Sequence, residues 1–343
     1  MSRRSRKSKR RIHSLYMMLL LTAILLILSS YAWFSANREV SITGITAHVS
    51  AAEGLQISLD GVAWGSSVEV NESNLANAKA ESTKYTVNNY TWPDQLEPVS
   101  TDGTFTGSDI NFYSGDISAD GATLSGVTAA ATTSNKYIAF DIYLKNASSK
   151  AKDNLQLSTG SYVKINKDEG KAATGLEYST RTGMLLYSNT AVFTAAQEDI
   201  VNLASGTPLA AIWEPNYNKH IAEIVKNDPR IDAEDTVFNT LGLTAKSSGN
   251  DVAEANRKEL KKDGDDGYLA APVTIKTDGE NGTVTNMLAV DGTTQLELKP
   301  NTIMKARMYI WLEGQDPDCQ DTASTGKAFD IQFNLTKPAA TAP

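Results

Sequence analysis

The sequence predicts a mainly β protein: an antiparallel β-sandwich, with a few inserted helices and one N-terminal hydrophobic helix. Three observations predict it. Runs such as residues 137–144 and 304–312 alternate side chains with the period of two that a pleated strand imposes. The pairs Asp60-Gly61, Asp102-Gly103, Asp120-Gly121, Asp278-Gly279, Asn281-Gly282 and Asp291-Gly292 fall between such runs and supply the positive φ angles of tight turns. Near the start, one apolar segment stands behind a cluster of cations.

That segment comes first in the chain. Residues 1–14 carry Arg3, Arg4, Arg6, Lys7, Lys9, Arg10 and Arg11 with no acid, and residues 15–28 then run apolar with Thr22 as the polar interruption. The small residues Ser30 and Ala32, two apart, fit the narrow pocket of signal peptidase, so cleavage after Ala32 is one expectation. Left uncut, the run and its flank reach about 20 residues, which at roughly 1.5 Å per residue just span a bilayer core. Either way the cations hold the N-terminus in the cytoplasm. The expected organisation is a basic cytoplasmic region (1–14), a signal-peptide core or transmembrane helix (15–32) and an extracytoplasmic β-sandwich domain (33–343).

Within that domain, strands are expected over residues 40–49, 55–59, 68–70, 137–144, 155–157, 162–165, 184–193, 273–275, 284–290, 296–298, 304–312 and 329–335. In 137–144, Ile138, Phe140, Ile142 and Leu144 alternate with Tyr137, Ala139, Asp141 and Tyr143, as one buried and one partly wetted face require. Residues 99–135, rich in Gly, Ser, Thr, Ala and Asp, read as a loop-rich insertion. A helical insertion is expected near 194–262. Thr194 and Gln197 have the spacing of a capping box ahead of a helix over 195–204, and 217–226 and 251–262 also pattern as helices. Many short strands joined by tight turns favour a sandwich over a parallel α/β sheet.

The formal charge is −8, and setting aside the leader cations makes the remainder more acidic still, which argues against nucleic-acid partners. Cys319 is the only cysteine, so no intrachain disulfide forms and stability must come from the core.

The junction Tyr31-Ala32-Trp33-Phe34-Ser35 resembles the processing region of exported Gram-positive matrix-fibre and camelysin proteins, the TasA-like group. The stretches Phe140-Asp141-Ile142-Tyr143-Leu144-Lys145-Asn146 and Ile310-Trp311-Leu312-Glu313-Gly314-Gln315-Asp316-Pro317-Asp318-Cys319 look like segments of clostridial-type exported proteins. The resemblance implies a jelly-roll-like sandwich at the cell surface that polymerises into fibres. The chain departs from the TasA-like group in its length and its inserted helices.

For chemistry, the sequence offers one acidic loop, where Glu313, Asp316, Asp318 and Asp321 follow a strand. Such an oxygen-rich loop reads either as a Ca²⁺ site or as a solvated turn ended by Pro317. Asp263, Asp265 and Asp266 mimic a calcium loop, but Lys262 falls at its first ligand position. Outside the leader only His48 and His220 could serve as a base for Cys319 or a serine. Forty acids offer many carboxylate pairs, but sequence gives no separations. Trp33, Trp64, Trp92, Trp213 and Trp311 read as core residues or as a sugar-stacking platform.

The expected function is therefore non-enzymatic: an exported cell-surface or extracellular-matrix protein that self-assembles by exchanging an N-terminal strand led by Val40, Ile42 and Ile45. The alternative is a monomeric, single-pass membrane-tethered binding domain for glycan or a partner protein. The implied partners are the membrane, through the N-terminal segment, and signal peptidase.

Overall fold

The structure, a computed structural model, describes residues 45–338 except 52–53, 79–83, 95, 118–122, 130–135, 148–152, 166–174, 218, 220, 222–237, 240–241, 244–260, 263–271, 279–280, 315, 317 and 320–328, together with Met17 and Met18. The cleavage residues Ser30 and Ala32, the exchange-strand residues Val40 and Ile42, and Asp321 lie outside the described residues, as does the candidate loop at 263–266. Among the described residues no helix is long and apolar enough to cross a membrane.

The strands in chain order are β1 (Ile45–Ala51), β2 (Leu55–Ser58), β3 (Ser67–Val70), β4 (Phe105–Thr106), β5 (Asp109–Ile110), β6 (Tyr113–Ile117) and β7 (Thr123–Ala129). There follow β8 (Ile138–Asn146), β9 (Asp153–Asn154), β10 (Gln156–Leu157), β11 (Tyr162–Ile165), β12 (Thr180–Ala191), β13 (Leu209–Glu214) and β14 (Phe238–Asn239). The last are β15 (Gly242–Leu243), β16 (Lys261–Lys262), β17 (Ile275–Lys276), β18 (Thr285–Asn286), β19 (Glu297–Leu298), β20 (Thr302–Leu312) and β21 (Phe329–Thr336). Short helices occupy Glu72–Asn77, Leu176–Ser179 and Gln197–Val201.

Two six-stranded sheets build the sandwich that the alternating runs predict. One has the order β18-β10-β21-β1-β3, with β11 also on β21, and the other runs β17-β13-β12-β20-β8-β2. Most pairs are antiparallel, but β1 lies parallel to β21 and β13 parallel to β17, so the sheets are mixed.

The apolar face of β21, Phe329, Ile331, Phe333 and Leu335, meets Met304, Ala306, Met308 and Ile310 of β20 in the core between the sheets. Each of the Phe, Ile, Leu and Met side chains contributes about 1.5–3 kcal/mol by leaving water, and with no disulfide this term dominates stability.

The expectation of one partly wetted face on residues 137–144 is corrected: β8 is buried on both sides, and so is most of its neighbour β20. Behind the core, Tyr309 and Trp311 join Tyr137, Leu185 and Ile212 in a second apolar cluster, which Val99, Ile110 and Phe112 cover. The Phe112 ring stacks on Tyr137 at 4.4 Å and meets Trp311 edge-on at 5.1 Å. The covering residues belong to the segment read as loops, which instead contains β4 to β7. A few apolar anchors suffice to hold so polar a stretch against a sheet.

The helical expectations shrink in the same way. The helix at 195–204 is the single turn Gln197–Val201, and its N-cap, Ala196, makes no side-chain bond. The Thr194/Gln197 capping box is absent because Gln197 is spent on tertiary contacts, donating to the Asp60 carbonyl at 2.8 Å and accepting from the Tyr85 hydroxyl at 2.7 Å. Lys261 and Lys262, read as helix, form β16 beside β7, while the rest of 251–262 and most of 217–226 lie outside the described residues.

Candidate functional site

Two places hold residues that the sequence marks out, the first described strand and the acidic loop after β20; a third lies on the outer face of β20 and β8.

Strand β1 lies inside its sheet. It pairs with β21 from Ile45 opposite Phe329 to Ala51 opposite Leu335, and with β3 from Ala47 opposite Val70 to Ser50 opposite Ser67. Ala47, Val49 and Ala51 point into the core, and Ser50 Oγ donates to Asn334 Oδ1 at 2.5 Å. Ile45 therefore completes a sheet of its own chain.

The acidic loop is neither solvated nor open. Glu313, Asp316 and Asp318 are 0%, 2% and 0% exposed. Arg181, buried on β12, explains the burial: its Nη2 donates to Asp316 Oδ2 at 2.6 Å and to Glu214 Oε1 at 2.8 Å, and its Nη1 to the Tyr178 carbonyl at 2.7 Å. Burial alone lowers the Arg181 pKa, but Glu214, Asp316 and Glu313 outweigh it and raise the value, so the guanidinium stays charged. Glu313 accepts from the Ser100 hydroxyl and from Trp311 Nε1. Asp318 Oδ1 accepts from the Ile221 amide at 2.9 Å. The carboxylates thus face donors of the protein itself. Among the described residues no group of three or more acids, histidines or cysteines is arranged to hold a metal ion. Cys319 is buried beside them, its amide donating to the Asp316 carbonyl at 3.0 Å.

The third place was not anticipated as a site. A pocket of about 380 Å³ opens over the outer face of β20 and β8 and is lined by Asp141, Tyr187, Lys305 and Arg307, with Asn89, Ser108 and residues 201–205 as its walls. Alternation along β20 puts Lys305 and Arg307 on the same face, and the register sets Arg307 opposite Asp141. Asp141 accepts from Arg307 Nη1 at 3.1 Å and pairs with Lys305 Nζ at 3.0 Å. Arg307 Nε donates to Asp109 at 3.0 Å, and Lys305 Nζ donates to the Val201 carbonyl at 2.9 Å. These bonds engage both oxygens of Asp141 and leave Arg307 Nη2 and one Lys305 proton without an acceptor among the described residues. Burial, and then the Asp141 charge, raise the Tyr187 pKa, so its hydroxyl stays protonated. The unspent capacity of the pocket therefore includes cationic donors, which suit an anionic oxygen. Its signal in the sequence is two cations on one face of an otherwise largely apolar strand.

The tryptophans divide. Trp213 and Trp311 are fully buried, whereas Trp64 and Trp92 pack partly exposed against the core clusters. No protein-family model matches the chain, and no curated protein and no solved structure matches it either.

Proposed function

We propose that the chain is a non-enzymatic structural protein of the cell exterior, exported by its N-terminal segment and retained on the membrane or in an extracellular matrix. The observation that carries this reading is the place of β1. The first described strand, β1, lies between β21 and β3, so it is an interior strand of the sandwich. A strand so placed can come from its own chain or, in the same register, from a neighbouring copy. Withdrawing it leaves unpaired edges on β21 and β3, a slot that accepts one strand from both sides. Exchange of the strand led by Val40, Ile42 and Ile45 then extends head to tail without closing. N-terminal sequencing of protein from the envelope and the medium, with negative-stain microscopy of the same material, tests the proposal. A mature N-terminus at Trp33 together with filaments supports it. A cytosolic chain that keeps Met1 rejects it.

The pocket favours a second reading, a membrane-tethered monomer that binds an anionic glycan or an acidic group of a partner protein. Its support is the unspent donors of Lys305 and Arg307. A ligand that binds only the native state raises the melting temperature. An acidic sugar such as a uronate should therefore raise it, while the neutral parent sugar should not, and equal effects of the two would reject the site.

A further inference from the structure

Beyond β21 the structure contains a buried triad that neither reading uses. Lys337 follows β21 directly, Asn146 ends β8 in the opposite sheet, and Asp153 opens β9. They are 8%, 0% and 2% exposed. Lys337 Nζ donates to Asn146 Oδ1 at 2.8 Å and lies 3.3 Å from Asp153 Oδ2. Asn146 Nδ2 donates to the same Asp153 Oδ2 at 3.0 Å and to the Lys299 carbonyl at 3.2 Å. Two acceptors around Nδ2 and an ammonium against Oδ1 fix which way the amide points. One carboxylate oxygen thus touches both a nucleophilic amine and the nitrogen that would leave if the amine displaced it.

We propose that Lys337 and Asn146 join in an intramolecular isopeptide bond, with Asp153 as the proton-transferring catalytic group. Asp153 takes a proton from the Lys337 ammonium, and the free amine attacks Asn146 Cγ, which lies one carbonyl bond, about 1.2 Å, from Oδ1. The Nζ–Cγ bond forms and a tetrahedral carbon results. Asp153 passes the first proton, and then a second from the attacking nitrogen, to Nδ2. The Cγ–Nδ2 bond breaks and the nitrogen departs as ammonium. Lysine has lost two protons, the leaving nitrogen has gained two, and Asp153 ends as the carboxylate it began as. Nothing is oxidised or reduced, and no co-reactant enters.

Burial supports each step. The reacting atoms are held in contact by the fold, which replaces a bimolecular encounter with a positioned one. A proton relay is effective when the carboxylate already bonds both partners, and exclusion of water limits hydrolysis of the adduct. The link joins positions 191 residues apart. It would tie the last strand of one sheet to a central strand of the other, the role a disulfide plays in chains that have two cysteines.

The test is the intact mass of the purified full chain, with proteolytic mapping. The expected result is a mass lower by one ammonia than that of the Lys337→Arg variant after allowing for the substitution, and a branched peptide containing both Asn146 and Lys337. Asp153→Asn should restore the full mass while leaving the circular dichroism spectrum unchanged, and Asn146→Asp should condense with loss of water instead of ammonia. A wild-type chain of full mass overturns the proposal. So does an ammonia loss that maps to a succinimide at Asn281-Gly282 with Asn146 and Lys337 on separate peptides. A bond that persists in folded Asp153→Asn overturns the role of the carboxylate.

Discussion

Removing the guanidinium of Arg181 would leave Glu214 and Asp316 buried without their cation. Arg181→Met is therefore expected to destabilise the chain by about 3–5 kcal/mol, read as a lower urea midpoint. Arg181→Lys keeps the charge but not the planar fork, and should recover only part of the loss. At the turn after β18, Asp291 accepts from the Thr293 and Thr294 amides at 2.7 Å each. Bonds from Thr294 and then Thr293 hold its carboxyl down to about 2, below the ordinary 3.8. A depressed carboxyl stabilises the fold above its unfolded pKa and loses that effect as pH falls through the folded value. Asp291→Ala should thus melt earlier than wild type at neutral pH, with the gap closing between about pH 4 and 2 in thermal melts across that range. The identities of the acidic loop were legible in the sequence, but its meaning was not. Arg181 and Asp316 lie 135 residues apart, and nothing local to Asp316 announces a buried arginine.

Among the elements, β21 and β20 show what periodicity can and cannot tell. In β21 the alternation of Phe329, Ile331, Phe333 and Leu335 with Asp330, Gln332 and Asn334 marks one buried face, and that is the face observed. In β20 the alternate positions hold Lys305, Arg307, Tyr309 and Trp311, which read as a wetted face, yet a distant segment covers Tyr309 and Trp311. Strand β13 carries no periodic signal for a related reason: Ala210, Ala211, Ile212 and Trp213 are buried on both sides, so no alternation survives. Phe333→Ala and Trp311→Ala are each expected to cost about 3–5 kcal/mol in denaturant titrations. If Trp311 stood on a wetted face its loss would be small, so the second variant tests the covered face directly. In hydrogen exchange, the amides of β8, β12 and β20, central in their sheet, should be the slowest, and the short edge strands β17 and β2 faster.

For the whole molecule, the class of fold was legible because twelve short alternating segments and their glycine turns add up to more sheet than one layer can bury. The parallel pairings of β1 with β21, β13 with β17 and β16 with β7 were not, because strand direction depends on which segments meet across the chain. The pairing of β1 with β21 has a mechanical meaning. The two strands run the same way side by side, so the chain enters β1 at one pole of the sandwich and leaves β21 at the opposite pole, roughly 20 Å away along seven residues. A pull applied between the two ends drags these neighbours past each other along their length. Every rung of the ladder then bears load at once, instead of opening one after another as in a zipper, and resistance to tension between the two ends is greatest in that geometry.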